Sequence, residues 1–255
     1  MKYIEKIIPV AKGAGEILLS YRGSFKESSK ATLYDVGSVV TSADFASEAF
    51  IVNGINKSIP YHGIFSEEGT SFRLDSEEVW YVDPLDGTAS FIRGFPFYGV
   101  SIGLMRNNKA VAGVLHFPEL DLTVWAEEGE GAYANGRPIR VSNLPLNKAL
   151  YYGGGSWKGE FHTSLPLVSA TGQVQILSAS AYELAQIAMG SAEIYLLVSN
   201  PIDVVAGACI VAEAGGKVTT ASGQEWGLKS ETILVTNGVV HEETLEILRN
   251  NPYPS

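Results

Sequence analysis

The chain has one cysteine, Cys209, in 255 residues. That excludes an internal disulfide and a cysteine-based zinc site, and the sequence carries no mark of an oxidising compartment. No apolar run approaches the roughly 18 residues of a membrane span. The opening Met1-Lys2-Tyr3-Ile4-Glu5-Lys6 lacks the long apolar core of a secretory signal, so a cytoplasmic protein is expected. Basic charge is scarce: 18 Lys and Arg stand against 28 Asp and Glu, a formal net charge of −10. Neutralising nucleic-acid phosphates needs the opposite balance, so neither a nucleic-acid nor a membrane partner is expected. Histidine is sparse too. His62, His116, His162 and His241 are scattered without metal-ligand spacing. Repeats and low-complexity linkers are lacking, and 45% hydrophobic with 18% charged residues describes a folded globular chain.

What is present alternates between helix and strand. Ile4, Ile7, Ile8, Ala11, Ala14, Leu18 and Tyr21 recur at steps of three and four and predict a first helix. Lys30–Val36 is polar and aperiodic, a loop. Thr41-Ser42-Ala43-Asp44 has the form of a capping box. It opens a helix over 42–58 with Phe45, Ala49, Val52 and Ile55 expected on its buried side and Pro60 at its end. Strands are predicted at 62–65 and 79–82, then at 98–105, 110–117 and 122–126, with a hairpin around Asn135-Gly136. From residue 149 strands and helices alternate again, and Asn200-Pro201 opens a helix of small residues that stops at Gly215-Gly216. The pattern predicts an α/β (α+β layered) protein with mixed sheets. A soft division falls near residue 147, giving subdomains 1–147 and 148–255.

The acidic excess has a second meaning if carboxylates gather around a cation. Glu67 lies in a turn after a strand, Asp83 and Asp86 flank Pro84-Leu85 at a strand's end, and Asp203 sits at a helix start. Asp44 is a fifth candidate. A rigid turn can direct Asp83, Asp86 and the Leu85 carbonyl into one volume, and hard cations such as Mg²⁺ take oxygen ligands of this kind. Like charges about 5 Å apart repel by roughly 3 kcal/mol per pair at an effective dielectric near 20, and a cation reverses the sign. Gly87-Thr88 beside a helix start adds backbone N–H groups suited to a phosphate. Metal and phosphate at one place mean phosphoryl chemistry. Singly, each acid also reads as a helix cap or a solvated turn, since Asp-Pro and Asp-Gly are ordinary turn formers. Gly153-Gly154-Gly155 lacks a phosphate-loop pattern, and Ser156 and Ser180 lack the context of a serine hydrolase nucleophile.

Together the motifs resemble the inositol monophosphatase family, within the larger magnesium-dependent, lithium-sensitive sugar-phosphatase superfamily. Asp83-Pro84-Leu85-Asp86-Gly87-Thr88 matches its signature, and Phe91 with Gly94-Phe95-Pro96-Phe97 matches the family residues just beyond that signature. Ser66-Glu67-Glu68-Gly69 and Val40-Thr41-Ser42-Ala43-Asp44 resemble two further motifs. Asp203-Val204-Val205-Ala206-Gly207 with Glu213-Ala214-Gly215-Gly216 resembles the second signature. The likeness spans nearly the whole chain in the family's order.

The resemblance implies the fold shared by inositol monophosphatase and fructose-1,6-bisphosphatase, and a phosphatase acting on a small phosphorylated metabolite through metal-activated water. Inositol monophosphate is the expected ester. Fructose 1,6-bisphosphate, histidinol phosphate and 3′-phosphoadenosine 5′-phosphate are alternatives, and a non-catalytic binding module is a further one. The implied metal ligands are Glu67, Asp83, Leu85 (carbonyl), Asp86 and Asp203, for two or three Mg²⁺ ions, with Mn²⁺ as a substitute. Asp44, Glu67 and Thr88 would be catalytic. Asp86, Gly87, Thr88 and Asp203 would meet the substrate. A homodimer is implied as well. Departures from the pattern are Ile202 where the family has Trp, Leu197 near a position where the family uses an acid to grip inositol hydroxyls, and a longer 30–38 segment.

Overall fold

A computed structural model describes residues 2–22, 42–153, 160–198 and 200–251. The loop expected at Lys30–Val36, the 30–38 segment, the capping residue Thr41, Gly154, Gly155 and Ser156 lie outside the described residues.

Two helices, α1 (Ile4–Tyr21) and α2 (Ser42–Ser58), pack side by side on one face of a sheet. The sheet holds β1 (Gly63–Ser66), β2 (Ser71–Phe72), β3 (Glu78–Asp86), β4 (Gly99–Arg106), β5 (Lys109–Phe117), β6 (Leu122–Glu127), β7 (Ala132–Ala134) and β8 (Arg137–Pro138). Its order is β2-β1-β3-β4-β5-β6-β7-β8. The β1–β3 pair is parallel and the other neighbours are antiparallel. Asn135 and Gly136 both have positive φ, 46° and 78°, as the type I′ turn requires. A short helix, α3 (Thr88–Arg93), follows β3.

The second sheet, of five strands, runs β10-β9-β11-β13-β12, where β9 is Leu150–Gly153, β10 Gln173–Gln175, β11 Ile194–Val198, β12 Lys217–Thr219 and β13 Thr232–Thr236. The remaining helices are α4 (Glu160–Ala170), α5 (Ser180–Ala188), α6 (Pro201–Glu213) and α7 (His241–Asn250). Strand alternation shows how the layers stack. Tyr152, Tyr195 and Val235 point into one core with α5, α6 and the first sheet. Their neighbours Tyr151, Ile194, Leu196 and Leu234 point into another with Leu167 of α4 and Leu245 and Leu248 of α7. The sheets are therefore separated by α5 and α6, and helices cover both outer faces, so the layered α/β expectation holds. No helix among the described residues is long and apolar enough to cross a membrane.

Helix α6 is apolar all round, with Ile202 and every residue from Val204 to Val211 buried, as a helix between two sheets must be. It lies on the first sheet over a pair of cross-strand glycines, Gly103 and Gly113. A Cβ at Gly103 would stand 2.5 Å from the Ala206 nitrogen, and one at Gly113 would strike the Ala206 carbonyl oxygen. That contact sets the height of α6, and with it Asp203 one turn earlier. Gly113→Val should cost about 3 kcal/mol by overpacking against backbone that has no room to shift. Thermal denaturation reads it directly, and an unchanged midpoint would show that the contact is loose.

Helix α2 departs from the expected stripe. Phe45 is 51% exposed, and Ala49 is exposed too. Ile55 is buried as expected, but the rest of the buried face is Ala43, Asp44, Ser47, Glu48 and Ile51. Three polar side chains at positions i, i+3 and i+4 face inward, and packing alone does not explain them.

Candidate active site

The Asp83–Asp86 turn is a bulge rather than a strand end. β3 pairs with β4 through Asp83↔Ser101, slips, and pairs again at Asp86↔Gly99. The β-branched and aromatic run predicts a strand that stops at Val82; the ladder runs on because Pro84 and Leu85 together face the single residue Val100, one extra residue on β3. A bulge re-aims the side chains on either side of it. Asp83 folds back so that Oδ1 accepts the Leu85 N–H at 2.9 Å. The Thr88 hydroxyl donates to the Leu85 carbonyl at 3.0 Å, tying the turn to the start of α3. Gly87 between them has φ 79°, and a Cβ there would lie 2.5 Å from the Phe97 carbonyl oxygen. Only glycine meets both demands.

Glu67 enters from β1, its N–H donating to the Val82 carbonyl at 3.1 Å. Asp203 enters from the first turn of α6, where Pro201 starts the helix and the Asn200 side chain accepts the Ile202 N–H. One carboxylate oxygen from each of Glu67, Asp83 and Asp203 lies within 4.8 Å of the others. Asp83 and Asp86 are buried, Asp203 is half-buried and Glu67 is exposed, so the cluster opens to solvent on the Glu67 side. Asp86 accepts the Ala181 N–H at the start of α5. Its Oδ1 is buried and has no hydrogen-bond partner among the described residues.

The electrostatics of this cluster are unfavourable as it stands. Burial, then Glu67, Asp86 and Asp203, push the Asp83 carboxyl well above its ordinary range. Burial and Asp203 do the same to Asp86. Burial and Glu67 raise Asp203 to about 7. A neighbouring group continues the pattern: burial, with Asp44, Glu67 and Glu48 nearby, raises Glu68 to about 7. Among the described residues no Lys or Arg forms an ion pair with Glu67, Asp83, Asp86 or Asp203. Hard oxygen donors, mutual repulsion and an orphaned buried oxygen together fit a divalent cation of the Mg²⁺ kind.

The five acids singled out in the sequence are thus placed around one region. Glu67, Asp83 and Asp203 share one centre, and Asp86 lies close enough to interact electrostatically with all three. The Leu85 carbonyl is in the turn between Asp83 and Asp86, Gly87 and Thr88 start α3 beside it, and Asp44 belongs to the adjoining group near Glu68. Motif reading misses Ser47, Glu48 and Glu183. The first two share the spacing of Asp44 on α2, which is a usable signal. Glu183 is buried in α5, accepts the Leu177 N–H at 3.0 Å and is raised to about 7 by burial. Nothing in its local sequence marks it.

The layered fold and this oxygen-rich site are those of a phosphoric monoester hydrolase, and known proteins agree. The model of the inositol monophosphatase family matches residues 2–253, and the chain belongs to that family. It is 32% identical over 252 residues to the fructose-1,6-bisphosphatase/inositol-1-monophosphatase of Thermotoga maritima, covering 97% of this chain and 96% of that protein. Inositol monophosphatase 3 of Solanum lycopersicum is 34% identical over 264 residues, at 97% and 96% coverage. Among solved structures, a Thermotoga maritima IMPase superposes with a TM-score of 0.89 at 31% identity, over 98% of both chains. The extragenic suppressor protein suhB of Bartonella henselae gives 0.89 at 29% identity, over 96% of this chain and 98% of that one.

Proposed function

We propose that this protein is a Mg²⁺-dependent phosphatase of a small phosphate monoester, with inositol monophosphate as the first candidate. The observation that carries the reading is the acidic centre itself, with one oxygen each of Glu67, Asp83 and Asp203 close together and Asp86 Oδ1 buried nearby without a partner among the described residues. In this reading Glu67, Asp83, the Leu85 carbonyl, Asp86 and Asp203 hold two or three Mg²⁺ ions, or Mn²⁺ in their place. Bound there, the metal supplies Lewis-acid stabilisation of phosphoryl charge and a lowered pKa for water. The chain's own groups do the rest. Asp44 and Thr88 orient the attacking water and take up its proton. The N–H groups of Gly87 and Thr88, at the start of α3 where helix bonds leave donors over, hold the phosphate oxygens. Asp86 and Asp203 face the leaving oxygen and fix the in-line geometry.

A second ester is favoured by a specific observation. Leu197 on β11 is half-buried and offers no carboxylate to a ring of hydroxyls, and the name of the Thermotoga maritima relative pairs fructose-1,6-bisphosphatase with inositol-1-monophosphatase. Histidinol phosphate and 3′-phosphoadenosine 5′-phosphate complete the set. A cytoplasmic homodimer, each chain built from subdomains 1–147 and 148–255, belongs to the same reading. The net charge of −10 argues for a metabolite rather than a nucleic acid as partner.

Phosphate release from these esters, with Mg²⁺ and with a chelator, tests the reading. We expect release from inositol 1-phosphate in Mg²⁺ and none in excess chelator. Equal release in both conditions would remove the metal from the mechanism. Release from another member of the panel alone would keep the mechanism and replace the substrate.

A further inference from the structure

The polar face of α2 ends on the two turns that carry the site carboxylates. Ser47, fully buried, donates its hydroxyl proton to the Pro84 carbonyl at 2.8 Å, inside the bulge between Asp83 and Asp86. Glu48, also buried, accepts the Thr70 N–H through Oε1 at 3.0 Å. The Thr70 carbonyl in turn accepts the Ser66 N–H at 2.9 Å, closing the turn on which Glu67 projects. β1 and β3 run parallel with Ser66 beside Val82, so both turns leave the sheet at the same end. Among the described residues no hydrogen bond of the sheet spans from one turn to the other beyond the Glu67 N–H to Val82. One helix therefore grips both, through adjacent residues.

An apolar residue would serve helix packing better than Glu48. Its Oε2 is buried without a partner among the described residues, which is an expensive way to fill space. The bond to Thr70 supplies a reason for a side chain that packing does not want. We propose that Ser47 and Glu48 are positioning residues that set the separation of the Glu67 turn from the Asp83–Asp86 bulge, and so tune the affinity of the site for its divalent cation. The inference rests on the reading of that site as a Mg²⁺ centre.

The test uses the full chain, stripped with chelator and titrated with MgCl₂ in a calorimeter, alongside the Mg²⁺ dependence of phosphate release. Removing a group bonded directly to a metal ligand weakens metal binding by about tenfold or more; Glu48 and Ser47 act one bond further out, on the Thr70 N–H and the Pro84 carbonyl, so a factor of about three to ten is expected. Glu48→Ala should raise the Mg²⁺ dissociation constant by about that factor, with turnover at saturating Mg²⁺ close to the parent's. Glu48→Gln keeps an acceptor oxygen for Thr70 and should restore most of the affinity. Ser47→Ala should shift it the same way by less. Ile51→Val, a buried change on the same helix, should lower the melting temperature and leave the Mg²⁺ constant alone. The inference is overturned if Glu48→Ala binds Mg²⁺ like the parent, if Glu48→Gln fails to restore binding, or if Ile51→Val weakens it equally. Should Glu48→Ala not fold, Ser47→Ala decides by the same criterion. A parent protein that binds no Mg²⁺ removes the metal-centre reading and this inference with it, an outcome distinct from a parent that binds and variants that do not differ.

Discussion

Asp86→Asn should lower turnover by about three orders of magnitude and, in chelator, make the folded chain more stable than the parent. Both effects come from one buried oxygen. Of the proposed ligand carboxylates, Asp86 has a buried oxygen, Oδ1, with no hydrogen-bond partner among the described residues, a group that a cation would satisfy. Loss of several kcal/mol of metal-assisted charge stabilisation corresponds to roughly 10³-fold in rate. Without metal the same carboxylate is a liability, since burial and Asp203 disfavour its charge. Asparagine has nearly the same shape, keeps an oxygen for the Ala181 N–H and brings no ionisable group into the buried site. Removing a carboxyl that the metal-free fold must keep protonated at neutral pH is worth about 2 kcal/mol, or about 5 °C in a domain of this size. Kinetics at saturating Mg²⁺ and melting in chelator measure the pair. A variant with parental turnover, or one that is less stable without metal, would show that Asp86 is an ordinary buried acid.

The metal-free protein should lose stability as pH rises from about 4 to about 7, and Mg²⁺ should reverse the trend. Asp203 and Glu183 are each raised to about 7 in the folded chain, and Asp83 and Asp86 are raised well above their ordinary range. Between the ordinary carboxylate pKa and the raised value, the folded state holds protons that the unfolded chain has released. Stability then falls with pH, by at most about 1.4 kcal/mol per pH unit for each group, until the folded carboxyl also ionises. A depressed acid would give the opposite slope, so the sign is diagnostic. Mg²⁺ binds the ionised form and adds stability in proportion to the logarithm of its concentration over its dissociation constant. Denaturant melts at pH 5 and pH 8, with and without Mg²⁺, should therefore cross. Parallel curves would mean that the acids are paired by groups within the protein.

The parts of this site that are legible in the sequence are those in which one short segment carries the logic. Asp83-Pro84-Leu85-Asp86-Gly87-Thr88 is legible because the turn, the ligand oxygens and the strained glycine are adjacent. Asp203 is legible because a proline and a capping asparagine announce the helix. What escapes depends on contacts between distant segments. Phe45 and Ala49 look like core because hydrophobic periodicity assumes that a helix buries its apolar side. On α2 the buried side is instead occupied by groups that hold backbone 22 and 37 residues away. The end of β3 escapes for a related reason, since a bulge is set by the partner strand and not by the bulged residues. Glu183 escapes because its partners, the N–H groups of Leu177 and Ser178, are defined only once Ser178 adopts its positive φ of 54°.

Crystals grown in Mn²⁺ and measured at its absorption edge test the central claim most directly. The account predicts an anomalous peak bounded by Glu67, Asp83, Asp86 and Asp203, within coordination distance of the Leu85 carbonyl. A data set with no peak there, and with Asp86 Oδ1 satisfied instead by a protein donor, would contradict it.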